Sequence, residues 1–239
     1  HGLRSISLSY AQQPDRAQDE EALTVLGRLA DELLPDIDRH LVLYAYMGVF
    51  PRTPGGARLL LEDAARLAVR TGAARLIVKT TAEAHRIPTV GENVTALETA
   101  AAAAAAERLR PPLTAVPDTG IEAEARALIG AVLELDTDIG RALVRAFAAG
   151  YLDVPYCLHP DNAGRARSSL GPDGRLHWSN VGSMPIAGLS GGPRPPILGS
   201  ADLLGALSHV QWSYDSRAAE TPDLDRTPAA PRELGHTTP

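Results

Sequence analysis

Apolar positions up to about Arg108 repeat one pattern three times: a short apolar run, a polar or glycine-rich break, then a run with one apolar face. Ile6–Tyr10 alternates and predicts a strand; AQQPDRAQ follows as a loop. Asp19–Leu34 carries Leu23, Leu26, Leu29, Ala30 and Leu33 on one helical face and stops before Pro35. His40–Tyr46 (HLVLYAY) is continuously apolar, the pattern of a strand covered on both faces. After MGVFPRTPGG, Ala57–Arg70 predicts a second amphipathic helix, closed at Gly72. Arg75–Val78 is a third strand. TTAEAHRIPTVGEN then leads into a helix ending near Arg108, with alanine at every position from Ala100 to Ala106. Alanine is the best helix former and lets a helix approach its neighbours closely.

Three strand–loop–helix units in succession predict parallel strands with helices outside. Beyond the RPPLTAVPDTG break, Ile121–Ala149 reads as helix, interrupted near Asp136–Ile139 and closed by Gly150. Val154–Leu158 suggests a fourth strand, and LHWSNVG a further strand or hairpin arm after a long polar loop. Past Leu189 the chain is rich in Pro, Gly and Ser. A short helical patch is expected at Ala201–Leu207, and irregular chain from about Ser216. A closed (β/α)8 barrel needs eight strands in about 250 residues. With four or five strands, the expected fold is α/β: a partial TIM-type barrel of parallel strands with outer helices and a poorly ordered C-terminal tail.

Composition narrows the function. The chain has 239 residues, 44 % hydrophobic but 4 % aromatic, so Leu, Ala, Val and Ile must build the core. The net charge of −6 and the lack of a basic stripe argue against a nucleic-acid partner. Cys157 is the only cysteine, so no disulfide can form within the chain, as suits a reducing, cytoplasmic setting. No apolar run reaches about 18 residues, so no membrane span is expected. The chain begins with His1 rather than Met, and a preceding segment is expected.

Chemistry in parallel α/β folds gathers at the C-terminal ends of strands. Tyr10, Gln12, Gln13 and Asp19 follow the first strand, and Met47 and Phe50 the second. Lys79, Glu83, His85 and Ile87 follow the third, and His159, Asp161 and Asn162 the fourth. Lys79 is the only lysine in a chain that otherwise uses arginine. With Glu83 four residues on, it reads equally as a loop ion pair or as the edge of an active site. Met47 taken alone reads as core, His85 as structural and Cys157 as an inert buried thiol. His159 and His177 lack metal-site spacing with Cys157. Asp153 and Asp161 have no obvious partner. Neither a Walker loop nor a dinucleotide fingerprint is present.

The same rim segments carry a resemblance. SYAQQPDRAQD resembles a glutamine-rich block ending in QD, and YAYMGVFP one reading WMGGFP. KTTAEAHRIPTVGEN resembles KTxxEAxGIPTxxAN, the most specific of the four. LDVPYCLHPDNAGRARSSLGPDG resembles LDIPFxPSxxNxG followed by an RDxxG segment. These blocks are those of the large (epsilon) subunit of glutamate mutase, the methylaspartate mutase family, and they match its C-terminal half only. The resemblance implies that residues 1–189 form the C-terminal part of a (β/α)8 mutase barrel and 190–239 a largely irregular tail. It implies an isomerase that interconverts L-glutamate and threo-3-methylaspartate by adenosylcobalamin radical chemistry.

In that family the cobalt is ligated by a small cobalamin-binding (sigma-type) subunit through a DxHxxG motif. That motif is absent here, so adenosylcobalamin is expected to come with the partner. Position by position, Lys79 and Glu83 resemble the pair contacting the ribose and adenine side of the cofactor. Phe50 and Ile87 resemble further cofactor contacts, and Met47 a methionine near the adenosyl group. The resemblance assigns no catalytic residue and no metal ligand to this chain. The arginines that grip the amino-acid substrate belong to the N-terminal half, and Arg52, Arg58 and Arg86 are not their equivalents. Val49 and Arg86 stand where the family has glycine, PDR replaces a glycine-containing turn, and SSLGPDG lacks the RD pair. Two alternatives stay open: a non-catalytic half-barrel serving binding or assembly, and a mutase for a different amino acid. A half-barrel has bare sheet edges, so association with the missing half is expected.

Overall fold

Three βα units follow one another in a computed structural model that describes residues 2–189 and 199–221. They are β1 (Ser5–Ala11), α1 (Arg16–Leu33), β2 (Asp38–Tyr44), α2 (Pro54–Arg70), β3 (Arg75–Ile77) and α3 (Val90–Arg108). The strands form one parallel sheet in the order β1-β2-β3, with Ser5 opposite Asp38 and Val42 opposite Arg75. Parallel neighbours need a crossover, which each helix supplies. Successive strand side chains point to opposite faces. Val42 and Leu43 on the central strand are both buried, as its continuous apolar run requires.

Each helix start is fixed by its own sequence. Asp15 caps α1 by accepting from the Gln18 amide at 2.6 Å. Thr53 caps α2, with Pro54 in the first turn, where a missing N–H costs nothing. Thr89 and Glu92 form a reciprocal capping box on α3. α2 is the hub. One face packs Leu61 and Ala65 on Ala96, Ala100 and Ala103 of α3; another sets Leu67 with Leu23 of α1 and Leu43 of β2.

The predicted interruption of the next helical stretch is present. α4 (Ile121–Leu133) and α5 (Ile139–Ala149) are separate, with Asp138 capping α5 and Gly150 ending it at φ +74°. β4 (Arg167–Leu170) and β5 (Leu176–Asn180) then form an antiparallel hairpin. Gln18 of α1 binds β5 like a neighbouring strand: its side chain donates to Leu176 O and accepts from Leu176 N, both at 2.9 Å. α6 (Ser200–Ala219) lies along α2, where Tyr214 Oη and Arg217 Nη1 both donate to Asp63.

Three expectations are corrected. Val154–Leu158 is not a strand: it turns at Val154–Cys157, with Tyr156 at φ +61°. Pro155 has no N–H to give a ladder, and the Val154 amide is taken by Asn162 Oδ1 at 2.8 Å. Second, not every strand is parallel: among the described residues β1, β2 and β3 form an open parallel sheet of three, and β4 and β5 pair antiparallel outside it. β1 and β3 each pair only with β2, so their outer edges carry no strand among the described residues. Third, the helical patch runs to Ala219 and overrides the irregularity expected from Ser216. Local propensity is poor over His209–Ser216, but Val210 and Tyr214 pack on Phe50, Ala57 and Leu60, and that burial carries the helix on. The rest of the expected tail, 190–198 and 222–239, lies outside the described residues. Among the described residues, no helix is long and apolar enough to cross a membrane.

Candidate functional site

The C-terminal ends of the three parallel strands make a rim, and each end is built differently. At β1, Gln12 is buried; its amide donates to Tyr44 O at 2.9 Å, and its side-chain oxygen accepts from the Tyr46 amide at 3.1 Å. Gln12 thus splices the ends of β1 and β2. Beside it Asp19 is 1 % exposed and accepts from Tyr10 Oη at 2.8 Å and from the Gln13 amide at 3.0 Å. Burial pushes the Asp19 carboxyl up to about 8, although the Tyr10 and Gln13 hydrogen bonds pull the other way. Burial, with Asp19 alongside, also raises Tyr10.

At β3 the chain leaves Ile77 and folds into a compact turn. The Glu83 amide donates to Thr80 O, those of His85 and Arg86 to Ala82 O, and the Ala82 amide to Thr80 Oγ1. This winding brings Lys79 and Glu83 into a direct ion pair across four residues. Their side chains are 21 % and 34 % exposed, so both remain within reach of a ligand. Lys79 Nζ lies 6.0 Å from the centroid of the Phe50 ring, which is itself buried.

Lys79, Glu83 and Phe50 are therefore together, contributed by the loops after β3 and β2. Met47 and Ile87 lie on the same two loops and are exposed, Ile87 by 89 %. His85 acts between the loops, its Nε2 3.0 Å from Arg52 O. Arg86 pairs with Glu92 at 2.6 Å and holds that carboxyl down to about 2, with further help from Thr89. It fastens the turn to the start of α3, which explains a large side chain at this position.

Asp153 proves fully partnered. It accepts from the amides of Gly164, Arg165 and Ala166 and from Asn162 Nδ2, all within 3.0 Å. Burial opposes its charge, but these donors hold it below the usual carboxylate range. The only signal for this in sequence was the NAG turn that follows. Asp161 is exposed, with His159 Nδ1 3.7 Å away. Among the described residues, no group of three or more His, Cys, Asp or Glu side chains could hold a metal ion.

The chain is a parallel α/β unit whose strand ends gather a cation, a carboxylate and an aromatic ring. The particular lineage follows from comparison. A profile for the methylaspartate mutase E chain (MutE) matches residues 1–189, and the chain belongs to that family. It is 32 % identical over 195 residues to the glutamate mutase epsilon subunit of Escherichia coli O157:H7, covering 77 % of this chain and 40 % of that protein. The epsilon subunit of Halobacterium salinarum is 32 % identical over 193 residues, with the same coverages. That of Desulfitobacterium hafniense is 31 % identical over 196 residues, covering 78 % and 40 %. The chain thus spans about 40 % of the length of these relatives.

Proposed function

We propose that this chain is the adenosyl-binding side of a glutamate mutase large subunit, an isomerase acting on L-glutamate and threo-3-methylaspartate in the cytoplasm. The observation that carries this reading is the Lys79–Glu83 pair at the end of β3, beside Phe50, within the block most like the family. The donor set suits a nucleoside. An ammonium donates and a carboxylate accepts, which is what a ribose diol needs. Met47 and Ile87, exposed on the same two loops, offer apolar surface to a flat base. Lys79 and Glu83 then bind and orient the sugar rather than move a proton, and Phe50 supports the ammonium from beneath. Adenosylcobalamin, when bound, supplies the radical chemistry of the rearrangement. The cobalt is held by a small cobalamin-binding subunit.

The bare edges of β1 and β3 support a second component of the reading. A partial TIM-type barrel needs strands on both sides, and the relatives are longer than this chain. The complementary barrel half fits that need and would bring the groups that grip the amino acid. The test is Lys79→Ala in the assembled enzyme, with complementary half and cobalamin subunit. Adenosylcobalamin affinity and turnover of glutamate should both fall about tenfold or more, as for loss of a charged hydrogen bond. Unchanged turnover would refute the assignment.

A further inference from the structure

We propose that α6 is a clamp on the rim and that Asp215 is the positioning residue through which it acts. This rests on the reading of Lys79, Glu83 and Phe50 as the adenosyl-binding cluster. Asp215 reaches from α6 to the loop that carries Met47 and Phe50. Its Oδ2 accepts from the Arg52 amide at 3.0 Å. Its Oδ1 accepts from the Thr53 amide at 3.0 Å and from Thr53 Oγ1 at 2.7 Å. Thr53 Oγ1 in turn accepts from the Gly56 amide at 3.0 Å, closing the first turn of α2. Consecutive amides at a helix N-terminus form a natural cradle for an anion. Here the protein's own carboxylate, from more than 160 residues away, occupies it.

The contact is built in on the α2 side as well. A Cβ at Gly56 would lie 2.5 Å from Asp215 Oδ1 and 3.1 Å from the Asp215 amide nitrogen, so glycine is what lets α6 come this close. The restraint continues along the rim. Val210 of α6 packs on Phe50, whose ring lies below Lys79. Arg52 O, immediately before the clamped Thr53, meets His85 Nε2, and His85 closes the turn that pairs Lys79 with Glu83. The loops after β2 and β3 are thus referenced to one another and, through Asp215, to α6. The family match ends at residue 189 and α6 begins at Ser200, so the clamp comes from outside the matched region.

The experiment compares Asp215→Ala, Gly56→Ala and Tyr214→Phe in the full chain. Tyr214→Phe removes one of the two α6 bonds to Asp63 but touches neither Arg52 nor Thr53. Hydrogen exchange is read at the Arg52 and Thr53 amides, and adenosylcobalamin affinity in the assembled enzyme, with Lys79→Ala alongside. Exchange at both amides should rise about tenfold or more in the first two variants and stay unchanged in Tyr214→Phe. Adenosylcobalamin affinity should fall severalfold in the same two variants only, and Asp215→Asn, which keeps one acceptor oxygen, should recover part of it. Unaltered amide exchange in Asp215→Ala would overturn the clamp. Faster exchange with full affinity, when Lys79→Ala does lose affinity, would leave α6 an anchor and overturn its positioning role. If Lys79→Ala also keeps full affinity, the adenosyl reading has failed, and the positioning role falls with it.

Discussion

The strand ends at β1 and β3 make opposite uses of a carboxyl group. At β1 the carboxyl of Asp19 is sealed in and surrounded by donors from its own chain. At β3 Lys79 and Glu83 face each other with part of each side chain open to solvent. A buried carboxyl with its partners already chosen is a fastening. An accessible pair with spare donors and acceptors can exchange its internal bond for one to a ligand at little cost. The two ends flank that of β2, so one rim carries a fixed side and an available side.

The largest expected effect breaks the closed side. Asp19→Ala should cost about 2–4 kcal/mol in denaturant unfolding, because Tyr10 Oη and the Gln13 amide lose a buried acceptor. A loss below ~1 kcal/mol would make β1 as tolerant as β3. Next comes pH. The folded Asp19 carboxyl is raised to about 8 from 3.8, so the folded state keeps a proton that the unfolded chain gives up. Its stabilising contribution is complete below the unfolded value and is lost as pH climbs to the folded one. Stability should therefore fall by on the order of 2 kcal/mol between pH 5 and 7, and Asp19→Asn should flatten that slope. On the open side, Thr89→Ala should cost about 1 kcal/mol by removing the cap of α3. Smallest of all, Lys79→Ala should change stability by less than ~1 kcal/mol, as for other partly exposed pairs. A stability loss at Lys79 matching that at Asp19 would erase the contrast and turn the pair into a second fastening.

The parts legible in the sequence are those where local signals and tertiary packing agree. The three βα units and the break between α4 and α5 rest on periodicity and caps; the first turn of α3, capped by Thr89, was read as loop. Val154–Leu158 misled because its apolar composition concealed Pro155 and the demand of Asn162 for the Val154 amide. The second half of α6 was hidden for the reverse reason, since its helix depends on Val210 and Tyr214 reaching Phe50. In the rim, Lys79 with Glu83 was visible from spacing. Asp215 was not, because a contact spanning 163 residues leaves no local trace. Nor could spacing reveal that Ile87 is almost fully exposed, since that depends on how the turn after β3 winds.

The seam between α2 and α3 has a thermal consequence. On α3 it is lined by Ala96, Ala100 and Ala103, so the helices come close while hiding little hydrocarbon. Heat-capacity change on unfolding scales with the apolar area newly wetted. This seam therefore adds little curvature to the stability profile of the protein. Its contribution should vary slowly with temperature, fading less on cooling than an interface of leucine and phenylalanine would.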